Sequence, residues 1–364
     1  MHPFTAKSLS KKILFIAPYP KGKAPSQRFR FEQYIPALEA NGFETELIPF
    51  LSEKDWAPLY ENASVLRKAW SMIRSFWKRF FLLFRLKQYD HIFIHREASM
   101  IGPPVFEWFI AKVLRRKYIY DFDDAIWLPN YSQTNARFHR LKAYGKVRKI
   151  VKWADQITVG NAYLKGYAEQ YNENVSIIPT TVDLDRVHKG KTDQNKTPIT
   201  IGWTGSHTTM EYLPMLLPIL KELRKEFEFK FRVISNHPPD LDFDDLEYIQ
   251  WNRDTEIEDL KSIQIGVMPL ENSQWAKGKC GFKGLQYMSL HIPSVMSKVG
   301  VNPEIISHRE NGWLCETEED WKEALQTLIE NRELREKLGS AGYQTVKTRY
   351  SVEANTTNYL NLFK

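Results

Sequence analysis

Cysteine is nearly absent from this chain. Only Cys280 and Cys315 occur among 364 residues, and their positions fit no metal-binding spacing. Disulfide-stapled secreted domains and zinc modules use more cysteines than this, so we expect two free thiols in a reducing compartment. The sequence therefore predicts a cytoplasmic protein without a metal site.

Long apolar runs are missing as well. The run Ile13–Ala17 ends at Pro18, and no window reaches the length of a membrane-spanning helix without charges. We expect neither a signal peptide nor a transmembrane helix. The composition, with 43% hydrophobic and 26% charged residues and no low-complexity tract, is that of a globular protein, and the length suits two domains.

Acidic residues are absent from one segment, Ser64–Tyr89, which is rich in basic and aromatic residues. Their spacing predicts a helix with a basic face and an aromatic face, as a helix lying in the surface of an anionic bilayer requires. The alternative is a helix that packs on the core and leaves its basic face in solvent. The residues that we assign to membrane contact are Arg67, Lys68, Trp70, Arg74, Trp77, Lys78, Arg79, Phe81 and Phe84.

The formal net charge of +7 favours anionic partners, namely a nucleotide, a phosphate group or a membrane surface. Nucleic acid is not expected, because the basic residues concentrate on one predicted helix and no recognition motif accompanies them. If the membrane assignment holds, the protein lies peripherally on the inner face of the membrane.

The first half of the chain reads as an α/β unit. Buried strands are predicted at Ile13–Ala17, Phe43–Ile48, His91–His95, Lys117–Tyr120 and Gln156–Val159. Ligands of such sheets bind at the carboxyl ends of the strands. The side chains that should line this edge are Arg28, Arg30, His95, Arg96, Glu97, Asp121, Asp123 and Asp124. The arginines could instead be surface charges, and the aspartates could cap the segment that follows them.

A second α/β series begins at Ile199, after a polar stretch that we interpret as a hinge. Phe229–Ser235 is a predicted strand and Met210–Phe227 a predicted helix. The predicted divisions are a domain over 1–185, a linker over 186–198, a domain over 199–340 and a helical tail over 341–364.

A basic loop with two glycines, Gly278-Lys279-Cys280-Gly281, directly precedes a predicted helix that contains Lys283. Backbone N–H groups at a helix start, close backbone approach at glycine and two lysines together suit a phosphate group. The alternative is a solvated basic loop before an ordinary amphipathic helix, since the spacing is not that of a P-loop.

Five stretches in this order carry a family resemblance: NAYLKGYAEQYNENVSIIPTTVD, IGWTGS, IGVMPL, GKCGFKGLQYMSLHIPSVMSKVGVNPEII and ENGWLCE. They resemble the family 4 (group 1) retaining glycosyltransferases of the GT-B fold. The resemblance implies two Rossmann-like domains that face each other across a cleft, with a C-terminal helix that returns to the first domain. It also implies transfer with retention from a nucleotide-diphosphate sugar, UDP- or GDP-linked, without a metal or other cofactor.

The resemblance implies roles for particular residues. The donor would contact Gly205, Ser206, Lys279, Cys280, Gly281, Lys283, Gln286, Asn302 and Glu304. The acceptor, a glycan or lipid-linked glycan, would contact Arg28, Arg30, Arg96, Glu97 and Asp123. His95 would lie near the donor sugar, and Asp121 or Asp124 could serve as a base for the acceptor hydroxyl.

The sequence departs from the family at the donor motif. Its two glutamates fall on Gly278 and Gln286, so both carboxylates are missing in that register. Gln286 can still hydrogen-bond a ribose, because an amide both donates and accepts.

Three alternatives compete with a metal-independent glycosyltransferase of the GT-B fold. One is a metal-dependent glycosyltransferase of the other common fold, with Asp121 and Asp123 as ligands. Another is a nucleotide-sugar epimerase of the same architecture. The third is a non-catalytic nucleotide-sugar-binding protein at a membrane, which the missing glutamates keep open.

Overall fold

The computed structural model describes residues 10–60, 64–129 and 139–364. The chain divides into two compact units, Met1–Ile178 with Thr356–Lys364, and Pro179–Asn355. The boundary thus lies upstream of the linker predicted over 186–198, which belongs to the second unit. Thr192 shows why, since its buried hydroxyl donates to the carbonyls of Lys261 and Ile263 at 2.6 and 2.7 Å.

The first unit contains a six-stranded parallel sheet in the order β2-β1-β3-β4-β5-β6. The strands are β1 Lys12–Ala17, β2 Glu44–Pro49, β3 His91–His95, β4 Ile119–Phe122, β5 Gln156–Val159 and β6 Val175–Ile177. The helices are α1 Pro25–Arg28, α2 Ile35–Ala40, α3 Glu53–Tyr60, α4 Val65–Arg85, α5 Val105–Trp108, α6 Lys146–Trp153 and α7 Ala162–Ala168. Helices cover both faces of a parallel sheet, which is why β1 and β3 are continuous apolar runs.

The second unit contains another six-stranded parallel sheet, in the order β12-β11-β10-β7-β8-β9. Its strands are β7 Ile199–Gly205, β8 Phe229–Ser235, β9 Leu246–Gln250, β10 Ile265–Met268, β11 Ser294–Ser297 and β12 Trp313–Cys315. Its helices are α8 Leu217–Leu223, α9 Glu256–Lys261, α10 Gln274–Lys277, α11 Phe282–Ser289, α12 Asn302–Ile305, α13 Glu318–Glu330 and α14 Arg332–Thr345. Two parallel sheets with surrounding helices confirm the predicted α/β fold class.

The last helix, α15 Val352–Leu360, carries the chain back to the first unit. Tyr359 stacks on Tyr34 with 4.1 Å between ring centroids, and the ring centroids of Phe363 and Phe15 are 6.2 Å apart. These buried aromatic contacts attach the C-terminal residues to the core of the first unit.

Proline divides the helix predicted over Met210–Phe227. The structure has a 3₁₀ segment, His207–Leu216, followed by the short helix α8. Pro214 lies inside the 3₁₀ segment and Pro218 in the first turn of α8. Because proline lacks a backbone N–H and clashes with the preceding turn, one continuous α-helix is disfavoured here.

Helix α4 confirms the helix predicted after Ser64 but corrects the role of Arg79. The Arg79 side chain is buried, and its guanidinium donates to the carbonyls of Ala98, Ile48 and Ala17 at 2.9, 3.1 and 3.3 Å. Arg79 therefore faces the interior of the unit and was wrongly assigned to membrane contact. No helix among the described residues is long and apolar enough to cross a membrane.

Candidate functional site

His95 and Asp121 form the centre of a polar cluster in the first unit. They end neighbouring strands and pair in the register of β3 and β4. The imidazole Nδ1 lies 2.8 Å from Asp121 Oδ2, and both side chains are buried. With the carboxylate ionised, Nδ1 donates the hydrogen bond, so Asp121 fixes the ring and directs Nε2 away from itself.

Asp121 is held by two further partners. Arg30 makes a bidentate ion pair with the carboxylate, and Thr158 Oγ1 donates to Oδ1 at 2.7 Å. Burial alone would raise the pKa of Asp121, but the charge of Arg30 and the His95 hydrogen bond outweigh it and hold this pKa well below its usual range. A buried carboxylate with so low a pKa suits the anchoring of His95 better than general-base catalysis.

Arg30 was predicted to bind the acceptor, but its guanidinium is buried between Asp121 and the carbonyl of Ile178. The structure therefore gives Arg30 an internal role as counter-ion. Arg28 lies nearby in sequence, half-buried, with its guanidinium 4.8 Å from the Phe29 ring centroid.

Ser26 connects His95 to Arg96. Its Oγ lies 3.4 Å from His95 Nε2 and accepts a hydrogen bond of the same length from Arg96 Nη1. Neither Ser26 nor Thr158 was among the predicted site residues. Hydroxyl side chains are common, and no spacing in the sequence relates these two to His95 or Asp121.

Arg96, Asp123 and Asp124 form a partly buried charge cluster at the same edge, with side-chain exposures of 21%, 11% and 22%. Arg96 Nη2 donates to Asp124 Oδ2 at 3.2 Å, and Nη1 lies 3.9 Å from Asp123 Oδ1. Burial, opposed by the charge of Arg96, raises the pKa of Asp123. The backbone of Arg96 has a φ of 61°, which is uncommon outside glycine, and Tyr120 OH fixes its carbonyl at 2.7 Å. Backbone strain of this kind concentrates at functional sites.

Glu97 lies beside this cluster but pairs inward. Its carboxylate is 2.7 Å from Lys146 Nζ, which also donates to the carbonyl of Ser99. Most of the predicted first-unit residues thus lie at one sheet edge. Some are buried anchors, and Arg96, Asp123 and Asp124 are partly exposed.

The second unit brings Gly205 and Lys283 together. Gly205 ends β7, and a Cβ atom there would lie 2.5 Å from Trp203 Cζ2 and 2.7 Å from Lys283 Cε. Lys283 Nζ lies 5.4 Å from the ring centroid of buried Trp203. The missing side chain at Gly205 therefore makes room for the Trp203 ring and for the lysine, and the exposed Ser206 continues this edge.

The start of α11 is a tight backbone turn. Gly281 caps the helix with a φ of 66°, and a Cβ there would lie 2.3 Å from Ile305 Cδ1 and 3.3 Å from Asn302 Oδ1. Asn302 in turn donates to the carbonyl of Ser297 at 2.8 Å. Only glycine fits this turn, which places the N–H groups of α11 next to α12.

The remaining predicted donor residues differ in exposure. Lys279 Nζ lies 5.1 Å from the Trp275 ring centroid, Cys280 is half-buried and Glu304 is exposed on α12. Gln286 is buried, and its Nε2 donates to Glu256 at 3.2 Å. Glu256 takes one of the two amide N–H groups of Gln286, so a ribose contact could use Oε1 or the other N–H.

This arrangement can hold an anion in the second unit, with lysine side chains and helix N–H groups on one edge. Among the described residues, no group of three or more His, Cys, Asp or Glu side chains could hold a metal ion. The first unit instead offers an anchored imidazole beside polar groups of both charges.

Comparison with known proteins adds a family and a fold. Residues 244–345 match the family model described as glycosyl transferases group 1. That range contains the loop before α11 together with Asn302 and Glu304. No curated protein matches the chain.

Three solved structures have a similar fold over nearly the whole chain. Sucrose-phosphate synthase from Thermosynechococcus elongatus is 13% identical with a TM-score of 0.69, covering 97% of this chain and 98% of its own. A glycosyltransferase from Rickettsia africae is 13% identical, with a TM-score of 0.66 and 98% coverage of both chains. Anabaena HepE in complex with UDP and glucose is 14% identical, with a TM-score of 0.65 and coverage of 97% and 99%. The fold is that of the GT-B glycosyltransferases, and together with the group 1 match it indicates a glycosyltransferase.

Proposed function

We propose that this protein is a retaining glycosyltransferase of family 4, which moves a sugar from a nucleotide-diphosphate donor to a glycan acceptor. The observation that carries the proposal is the convergence of Gly205, Lys283 and the start of α11 at one edge of the second sheet. The group 1 match covers α11 and the loop before it.

The second unit would bind the donor through its diphosphate. Cleavage of the sugar–phosphate bond leaves a growing negative charge on the leaving nucleoside diphosphate. Lys279, Lys283 and the N–H groups of α11 would stabilise that charge more in the transition state than in the ground state, so no metal is required. HepE was solved with UDP-glucose, and this supports a UDP-linked donor, with a GDP-linked one as the next choice.

The first unit would bind the acceptor. Arg96, Asp123 and Asp124 are partly exposed and would offer donors and acceptors for sugar hydroxyls. His95, held by Asp121, would lie near the reacting groups, with Nε2 free of the carboxylate. The acceptor that we propose is a lipid-linked or cell-surface glycan on the cytoplasmic face of a membrane, as the aromatic face of α4 favours.

The test combines donor binding with transfer. UDP, GDP, ADP, CMP and their sugar conjugates are added to the protein, and the melting temperature is followed, since a ligand that binds only the folded state raises it. We expect one nucleotide family to shift the melt. Lys283→Ala should abolish the shift and lower transfer from that donor by about 10²–10³-fold, the usual loss for one oxyanion-stabilising contact.

Lys322→Ala is the matched control, because Lys322 is a surface lysine of the same unit whose partner is the exposed Glu222. It should leave both the shift and the transfer rate unchanged. A Lys283→Ala variant that binds and transfers like Lys322→Ala would refute the phosphate site. Release of free sugar or epimerised donor without transfer would favour the epimerase alternative.

A further inference from the structure

Helix α4 is oriented with its aromatic side outward. A helix of a globular protein normally buries its apolar stripe and exposes its polar side. Here the buried positions include Ser71, Ser75 and Arg79. The exposed positions include large apolar side chains, with exposed fractions of 64% for Trp70, 57% for Trp77, 61% for Phe81 and 72% for Phe84.

The hydrogen bonds of Arg79 fix this orientation. Its three bonds to the carbonyls of Ala17, Ile48 and Ala98 tie the helix to β1, to β2 and to the segment after β3. Turning the aromatic side inward would break these three charge-assisted bonds and leave the Arg79 guanidinium without them. The exposure of the aromatic side is therefore fixed by the packing of the folded unit.

The exposed stripe is continuous along the helix. Helical spacing places Leu66, Trp70, Ile73, Trp77, Phe80, Phe81 and Phe84 on one side. Neighbouring rings contact each other, with centroids 6.0 Å apart for Trp77 and Phe81 and 5.4 Å apart for Phe80 and Phe84. Contiguous apolar surface of this kind marks an interaction site.

Basic residues flank this stripe along one side, at the helically spaced positions Arg67, Arg74, Lys78 and Arg85. Acidic residues from other elements offset part of their charge. Arg74 and Lys78 share the buried carboxylate of Asp55, and Arg85 pairs with Glu46. The flank stays positive overall, but less so than the sequence of α4 suggests.

We propose that the aromatic side of α4 binds the surface of an anionic lipid bilayer, with the helix in the plane of the membrane and its aromatic rings at the boundary between headgroups and acyl chains. Aromatic rings and a basic flank are the combination that such a boundary accepts. A second copy of this chain fits less well, because two basic flanks would then meet. The inference rests on the proposed function in one respect, because that function places the acceptor at a membrane. Lipid binding by α4 itself requires no catalysis.

The test is flotation of the full chain with vesicles of phosphatidylcholine alone or mixed with phosphatidylglycerol. We expect binding to the mixed vesicles, weaker binding to the neutral ones, and a decrease of at least about tenfold for Trp77→Ser/Phe81→Ser. Tyr171→Ser is the matched control, because Tyr171 is also an exposed aromatic residue of the first unit and lies outside α4. A second variant, Trp70→Ser/Phe84→Ser, should behave like the first if either one folds poorly.

Each outcome decides one question. Absence of vesicle binding, or unchanged binding in both double variants, overturns the inference. Light scattering that shows a dimer lost in the double variants, without lipid binding, assigns the surface to a second copy instead.

The nucleotide-induced melting shift is measured on the same variants. If the shift persists while lipid binding fails, only the membrane inference is refuted. If lipid binding occurs without any melting shift, only the donor assignment is refuted.

Discussion

The buried ion pair of Arg30 and Asp121 gives the sharpest prediction for the first unit. Replacing Arg30 by methionine removes the counter-ion but keeps a side chain of similar length. Asp121 would then remain as a buried carboxylate with only the bonds from His95 and Thr158. Removing one partner of a buried pair typically costs about 3–5 kcal/mol, because the remaining charge is uncompensated.

A loss of this size should be plain in thermal unfolding. For a unit of this length each kcal/mol corresponds to roughly 2–4 °C, so Arg30→Met should lower the transition of the first unit by roughly 6–20 °C. The matched control is Arg85→Met, which removes an arginine from the exposed pair with Glu46 and should cost less than about 1 kcal/mol. Adding Asp121→Asn to Arg30→Met should restore part of the loss, because it removes the unpaired charge.

The pH dependence follows from the direction of the pKa shift. The folded pKa of Asp121 is depressed, so its pairing stabilises the protein fully above the unfolded pKa of about 3.9 and progressively less as the pH falls below it. The difference in stability between the wild type and Arg30→Met should therefore narrow in acid. Equal losses for Arg30→Met and Arg85→Met at pH 7, or a difference that does not change with pH, would refute this account of the pair.

Three other predictions concern single sites. Gly205→Ala places a methyl group 2.5 Å from the Trp203 ring and 2.7 Å from Lys283 Cε, so it should displace both side chains and weaken nucleotide binding about tenfold or more by titration, whereas Gly166→Ala, with open space around it, should not. Asn161→Ala removes the side chain that accepts from the first turn of α7 and should lower the free energy of unfolding by about 0.5–2 kcal/mol, while Asn161→Asp should retain most of it. Thiol titration of the folded protein should detect Cys280 quickly and Cys315 only after unfolding, because Cys315 is buried and burial raises its pKa; fast modification of both would contradict this.

Much of the fold could be predicted from the sequence because its signals are local. The strands β3, β5 and β8 have the predicted bounds, since fully buried parallel strands appear as short apolar runs between polar residues. The helix after Ser64 is also a local signal, and the structure confirms it.

The burial of Arg79 could not be predicted in the same way. The pattern of α4 shows an aromatic side and a basic side, and the membrane assignment expects both to be exposed. In the structure Arg79 is buried, and its guanidinium donates to three carbonyls from distant parts of the chain. Sequence separation hides such partners, and the same holds for Thr158 at Asp121 and Glu256 at Gln286.

The charges at the two sheet edges explain why different ligands suit the two units. In the first unit the cations Arg30, Arg96 and Lys146 each face a carboxylate, so the edge is close to neutral and offers directional hydrogen bonds. In the second unit the segment Lys277–Lys283 contains three lysines and no acidic residue. One of them, Lys283, lies beside Gly205 and the Trp203 ring, and the N-terminus of α11 adds partial positive charge. A diphosphate gains most at an edge of the second kind, since its charge is not met by competing carboxylates in the loop. A neutral sugar gains most at an edge of the first kind, where each hydroxyl can meet a paired donor and acceptor without the cost of burying a single charge. The division of donor and acceptor that we propose for the two units is therefore consistent with how each edge compensates its own charges.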